Sequence, residues 1–250
     1  MLTNYYYYYP GALSDKDCDR IIELGDKKIN DKLSKGESVD GTTGDNNQKF
    51  KDSLKKSMRD KTKHEIAQSG DSLDNYYARD SQITWLNDDW LYNLITPYFK
   101  NANKNSGWNF DYDTFEECQY TTYNAPGGYY TWHKDSAMDI QSVWQRYIAG
   151  ITPIDKNGQP SYPFTKQNHI IGKIRKLSMT INISDNNDYE GGDFKFDYSE
   201  HNDTRFDTVK QIKKRGSIIV FPSFVPHMVS PVTKGTRRSL VAWANGRPFR

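Results

Sequence analysis

The chain has 250 residues, enough for one sizeable core or two small domains. Hydrophobic residues make up only 35%, while aromatics reach 14% with 18 tyrosines, so large rings must supply much of any core. A net charge of +2, from 34 basic and 32 acidic side chains, argues neither way about nucleic acid and makes no case for a membrane surface. No apolar run approaches the roughly 20 residues that cross a bilayer. The N-terminus has neither the basic region nor the aliphatic core of a secretion signal. Cys18 and Cys118 belong to no CxxC pair and read as reduced thiols of a cytoplasmic protein.

Residues 5–9 are consecutive tyrosines and predict a strand, ended by Pro10 and Gly11. Ser14 predicts a helix N-cap, with Asp15 and Asp17 in the first turn. Cys18, Ile21, Ile22 and Leu24 supply the apolar face of a helix ending near Asn30. Residues 31–75 are polar and poor in apolar side chains, with a helical turn or two over 49–63. They read as a solvated excursion, either a surface insertion or a lid. Residues 82–86 predict a short strand. Asp88 or Asp89 caps a helix carrying Trp90, Leu91, Leu94, Ile95, Tyr98 and Phe99.

From Trp108 the pattern changes to short strands separated by Gly, Pro, Asn and Asp: 108–112, 116–123, 129–135, 174–184, 193–198, 207–212, 216–221, 226–232 and 237–243. Many short strands with turn signals predict a β sandwich or barrel, with the upstream helices packed on one sheet. The chain therefore divides into helical support with a polar excursion over 1–107 and a β core over 108–250, expected as a single domain. Residues 136–173 form a second long excursion, again either a surface insertion or a lid, with Trp144, Tyr147, Tyr162 and Phe164 as aromatics that could close on a ligand.

Alternate strand residues share a face, so Tyr129, Thr131, His133 and Asp135 are expected to point one way. Alone, His-x-Asp is a weak signal. The buried-looking strand over 216–221 then leads through Pro222 and Pro226 to His227. A second histidine beside His-x-Asp completes a two-histidine, one-carboxylate facial triad, which leaves three neighbouring positions open on an octahedral iron. Ten residues beyond His227 stands Arg237. By alternation it shares a face with Ser239, Val241 and Trp243, while Arg238 faces the other way. A guanidinium suits bidentate gripping of a carboxylate, the task of anchoring the distal end of 2-oxoglutarate, and Ser239 can add a further bond.

These residues resemble the prolyl-4-hydroxylase-like branch of the 2-oxoglutarate/iron(II) oxygenases. The likeness lies in Tyr123 through Asp135, in Arg175-Lys176-Leu177-Ser178 continuing to Ser184, in Tyr189-Glu190-Gly191-Gly192-Asp193-Phe194, and in Gly216 through Trp243. His-x-Val-x-Pro-Val-Thr-x-Gly-x-Arg, from His227 to Arg237, is its most specific part. The resemblance implies a mainly β fold with supporting α-helices, a double-stranded β-helix or jelly roll. It implies iron(II) on His133, Asp135 and His227, with 2-oxoglutarate on Arg237. Tyr123, Ser239 and either Thr180 or Asn182 would add polar contacts. It further implies dioxygen as oxidant, ascorbate as reductant, and hydroxylation of a prolyl residue in a peptide or protein. A free amino acid or other small molecule is the alternative substrate. A catalytically silent jelly-roll binding module is the alternative class, against which the intact ligand set and Arg237 argue. A nucleic-acid substrate is not expected. Asp135 also disfavours a halogenase, which needs a small residue there.

Other conspicuous residues carry plainer expectations. His64, His169 and His201 read as solvated. Gly191-Gly192 reads as a connection needing positive φ, without the helix that a phosphate-binding loop requires. Lys213-Lys214-Arg215 reads as a solvated turn. Tyr130 and Trp132 alternate with His133 and read as core. Trp243 suits either the pocket or packing.

Overall fold

The computed structural model describes residues 2, 4–41, 79–138, 140–154, 163–198 and 206–249. Among them the elements run β1 (Tyr7–Tyr9), α1 (Asp15–Ser34), β2 (Arg79–Asp80), β3 (Gln82–Leu86), α2 (Asp89–Asn105), β4 (Thr114–Phe115), β5 (Cys118–Asn124) and β6 (Tyr129–His133). There follow β7 (Gln145–Arg146), β8 (Phe164–Thr165), β9 (Ile174–Asn182), β10 (Tyr189–Gly191), β11 (Phe194–Asp197), β12 (Phe206–Thr208), β13 (Ile218–Pro222), β14 (His227–Val229) and β15 (Val232–Gly246). The larger sheet has the order β1-β13-β9-β15-β5-β3, with β10 and β4 also paired to β15. The smaller has the order β12-β11-β14-β6-β2, and β7 and β8 form a separate parallel ribbon. Pairing within both main sheets is antiparallel, as the jelly-roll expectation requires.

Alternation decides what each face of the larger sheet meets. On β13, Ile218 and Val220 join Leu177, Met179, Ile181, Leu240 and Ala242 in a cluster with Ile21 and Ile29 of α1 and Leu91, Ile95 and Phe99 of α2. Ile219 and Phe221 point the other way, into a second cluster with Phe194, Phe196 and Val229 of the smaller sheet. A strand buried on both faces reads as an unbroken apolar run, which is why 216–221 stands out in the sequence.

The Ser14 cap is formed: its Oγ accepts from the Asp17 N–H at 3.1 Å. The helix continues past Asn30 to Ser34, because the backbone ladder extends through a last turn whose single apolar residue, Leu33, is half exposed and marks no buried face. The strand expected over 108–112 is absent. There Asn109 takes a positive φ of 51°, and the Asn103 side chain bonds both the N–H and the carbonyl of Phe110, each at 2.9 Å. The tyrosine run pairs only over Tyr7–Tyr9, and 207–212 is a three-residue strand followed by a turn of 3-10 helix. Lys213 and Arg215 are not merely solvated, since they form ion pairs with Asp193 and Asp19. Both cysteines are free and buried. Residues 31–34 of the first excursion belong to α1, Val39 and Asp40 lie on the sheet, and 42–75, with the turn expected over 49–63 and with His64, are outside the described residues, as is His201. No helix among the described residues is long and apolar enough to cross a membrane.

Helix α1 is fastened to the back of β5 and β15. The Tyr120 hydroxyl donates to Asp26 at 2.6 Å, and Arg238 pairs with the same carboxylate at 3.2 Å. Gly25 lets the helix approach, because a Cβ there would overlap the Tyr120 ring. Glycine to alanine inside an exposed helix gains about 1 kcal/mol. Here overpacking reverses the sign, so Gly25→Ala is expected to destabilise by about 1–3 kcal/mol in chemical denaturation. A stabilised variant would show that the helix does not sit against that ring.

Candidate active site

His133 closes β6 and His227 opens β14, and the two are direct cross-strand partners. Their ring centroids lie 4.2 Å apart. The Nδ1 of His133 is 2.8 Å from the Thr131 carbonyl, and that of His227 is 2.9 Å from the Val225 carbonyl. A carbonyl only accepts, so each Nδ1 carries the proton and each Nε2 keeps its lone pair. Both Nε2 atoms face Asp135, at 3.9 Å from His133 and 3.6 Å from His227. One donor atom from each of the three residues lies within 4.8 Å of the other two. The side chains are only 5%, 6% and 9% exposed, in the order His133, His227, Asp135. Asp135 lies beyond the end of β6, so strand alternation does not aim it; a bend does, held by its N–H on the Ser223 carbonyl at 2.9 Å.

Burial, followed by the neighbouring His227, holds the His133 imidazole well below its ordinary pKa, so it stays neutral and able to ligate. Burial pushes the Asp135 carboxyl up, but His227, His133, Arg175 and the Ser178 hydroxyl together bring it down to about 2. Two imidazoles with their Nδ1 atoms on backbone carbonyls and their Nε2 atoms turned to one carboxylate are the donor set of a 2-His-1-carboxylate iron site.

The triad opens into a cavity of about 1200 Å³. On another wall lies Arg237, which is 1% exposed. Its Nη1 donates to Ser239 Oγ at 3.4 Å and its guanidinium lies 5.4 Å from the Tyr123 ring centroid. Its Nη2 is buried with no hydrogen-bond partner. A buried guanidinium with an idle donor is costly unless an anion completes it, and the carboxylate of a small acid fits that need. Gly192, at φ 60°, makes room for it, since a Cβ there would come within 2.8 Å of Arg237 Cδ. Arg238 faces the helix instead, as alternation predicts.

Tyr123, Ser239, Thr180 and Trp243 all line the cavity. Asn182 is not among the residues that line it: its Nδ2 donates to the carbonyls of Lys213 at 2.8 Å and Ser184 at 3.2 Å, which turns it toward the strand end. Tyr130 was expected on the face opposite His133. Its ring stacks on His133 with centroids 3.5 Å apart, and it lines the cavity. A register irregularity explains this: His133 pairs with His227 but Tyr130 pairs with Val229, so β6 spends one extra residue between them. The second excursion contributes Trp144 and Phe164, two of the aromatics expected to close on a ligand, together with Thr165 and Ile170, which no pattern in the sequence marked. Arg79 and the pair Glu116 and Arg175 also line it and were missed, each lying outside a recognisable motif role. His169 is exposed, with Nε2 3.0 Å from the Phe115 carbonyl.

The depressed His133 pKa has a consequence for stability. Below pH 6.5 the unfolded chain protonates this imidazole and the folded chain does not, so unfolding takes up protons and stability falls as pH drops. Urea denaturation of metal-free protein is expected to show that loss beginning near pH 6.5, and His133→Gln is expected to flatten it. An unchanged slope in the variant would mean that His133 is not held neutral.

The family model described as the 2OG-Fe(II) oxygenase superfamily matches residues 118–245, just over half of the chain. A PKHD-type hydroxylase of Synechococcus sp. (strain CC9902) is 35% identical over 82 residues, covering 32% of each protein. Another from Idiomarina loihiensis is 31% identical over 108 residues, covering 42% of this chain and 46% of the relative. The matches thus span about a third to a half of the length of these curated relatives. Among solved structures, a Pseudomonas putida prolyl-4-hydroxylase aligns with a TM-score of 0.55 at 17% identity, covering 98% of this chain and 94% of that one. A viral collagen prolyl hydroxylase from Paramecium bursaria Chlorella virus-1, in a 2-oxoglutarate complex, aligns at 0.51 and 17% identity, covering 98% and 97%. These likenesses show the jelly-roll fold, and the matched family model shows that the chain belongs to the 2-oxoglutarate-Fe(II) oxygenase superfamily.

Proposed function

We propose that the chain is an iron(II)- and 2-oxoglutarate-dependent dioxygenase that hydroxylates a prolyl residue in a peptide or protein. The observation that carries the co-substrate assignment is the idle, buried Nη2 of Arg237, in the same cavity as the His133, Asp135 and His227 donor atoms. The prolyl substrate is supported by the names of the structural neighbours. Residues 1–107 and 108–250 are read as one catalytic unit, with ascorbate as external reductant.

The chemistry supplied by the bound metal and co-substrate is activation of dioxygen and oxidation of a C–H bond. The chain's own groups prepare that chemistry. His133 and His227 present Nε2 in a fixed tautomer, and Asp135 offsets part of the metal charge. Arg237 pairs with the distal carboxylate, helped by Ser239, while Tyr123 and Thr180 offer further hydroxyls. Phe194, Phe221, Val229 and Val241 give the pocket apolar walls, which exclude water and strengthen those charged contacts.

Two measurements test this reading. Purified protein with Fe(II), ascorbate and 2-oxoglutarate is expected to release succinate and carbon dioxide, and to add one oxygen atom to a prolyl peptide in mass spectrometry. Oxygen added only to free amino acids would move the substrate class, and no 2-oxoglutarate turnover under any condition would leave a silent binding module. Arg237→Ala removes a charged pair from a desolvated pocket, worth roughly 2–5 kcal/mol. It is expected to raise the KM for 2-oxoglutarate at least tenfold, with Arg238→Ala changing it little. Equal effects would contradict the β15 register.

A further inference from the structure

Three arginines line the cavity, and their bonding states differ. Arg237 has an idle Nη2 and Arg79 an idle Nε, whereas Arg175 is engaged on every side described here. Its Nε and Nη2 grip both oxygens of Glu116, at 2.7 Å and 2.6 Å. Its Nη1 reaches the Asp135 carbonyl at 3.5 Å. Its guanidinium lies 3.9 Å from the ring centroid of Trp243 and 5.4 Å from that of Trp144. The pair is withdrawn from solvent, with Arg175 12% and Glu116 3% exposed. A guanidinium so occupied has little left to offer a ligand.

What it holds is more informative. Asp135 lies past the end of β6. Its N–H is tied to the Ser223 carbonyl and its carbonyl to Arg175, so both peptide groups flanking this carboxylate are anchored. Trp144 is itself pinned to the start of β9, donating to the Lys173 carbonyl and accepting from Gly172, both at 2.9 Å. Arg175 therefore joins the bend that carries Asp135 to the aromatic wall of the cavity.

From this we infer that Arg175, locked by Glu116, is a positioning residue for the Asp135 ligand. The inference rests on the metal assignment above and adds a role that the sequence left open. Outer residues of this kind typically change metal affinity 10–100-fold when removed. Lysine keeps the charge of arginine but not its planar fork.

The test uses the full chain and Mn(II) in place of oxidisable iron. Calorimetry is expected to show Mn(II) binding weakened at least tenfold in Arg175→Lys and weakened in Glu116→Gln. The double variant should bind no worse than Arg175→Lys, because the two residues act as one unit. The electron paramagnetic resonance line shape of bound Mn(II) should change in both single variants, a change that lower stability of a still-folded protein would not produce, although Glu116→Gln is expected to lower the melting temperature by breaking a buried ion pair. If Arg175→Lys fails to fold, the near-isosteric Glu116→Gln decides. Parent-like affinity and line shape in the variants would overturn the inference while leaving the functional reading intact. A parent chain that binds no Mn(II), with His133→Ala behaving identically, would sink the functional reading itself and this inference with it.

Discussion

The pairing of His133 with His227 across β6 and β14 is the constraint on which the site depends. Neither strand is long, with five residues in β6 and three in β14, so their mutual register rests on few bonds. The register is secured from outside. β11 pairs with the other edge of β14, and Phe194, Phe196 and Phe221 pack around the His227 ring. A slip of one residue in β14 would send His227 to the opposite face and leave His133 alone. The aromatic-rich composition thus has a local purpose, because large rings fill the space between the sheets and hold the metal-facing edge in place.

Charge is distributed with equal economy. Asp135 is the single carboxylate of the triad, and its neighbours are two imidazoles whose orientation is set by main-chain carbonyls. Arg237 stands buried with no carboxylate paired to it among the described residues, whereas Arg175 is matched by Glu116 within bonding distance. The contrast separates a ligand-seeking cation from a structural one inside the same cavity. Gly192 belongs to the same design, since the absence of its side chain lets the Arg237 stem lie against the connection between β10 and β11.

Much of this was legible in the residues, and what was not has physical reasons. His133, His227 and Arg237 stood in strands with clear alternation, and Arg238 could be assigned to the other face by the same rule. Alternation puts Tyr130 on the wrong face, because a register irregularity in β6 obeys no sequence pattern and inverts the expected side. Asn182 shares its strand face with Thr180, yet at the strand's last position it found backbone carbonyls to bond and turned from the pocket. The strand expected at 108–112 failed because aromatic residues there pack against α2 and the C-terminal Phe249 without pairing in a sheet. Trp144 and Phe164 stood out as aromatics in a polar excursion and do line the cavity, whereas Thr165 and Ile170 beside them carried no such signal.

The most direct test of the central claim is a crystal structure of the chain grown anaerobically with Mn(II) and 2-oxoglutarate. The ion is expected on His133 Nε2, His227 Nε2 and one oxygen of Asp135, with the far carboxylate of 2-oxoglutarate on Arg237 and its other end on the ion. An ion elsewhere, or a co-substrate whose carboxylate leaves Arg237 Nη2 idle, would contradict the account.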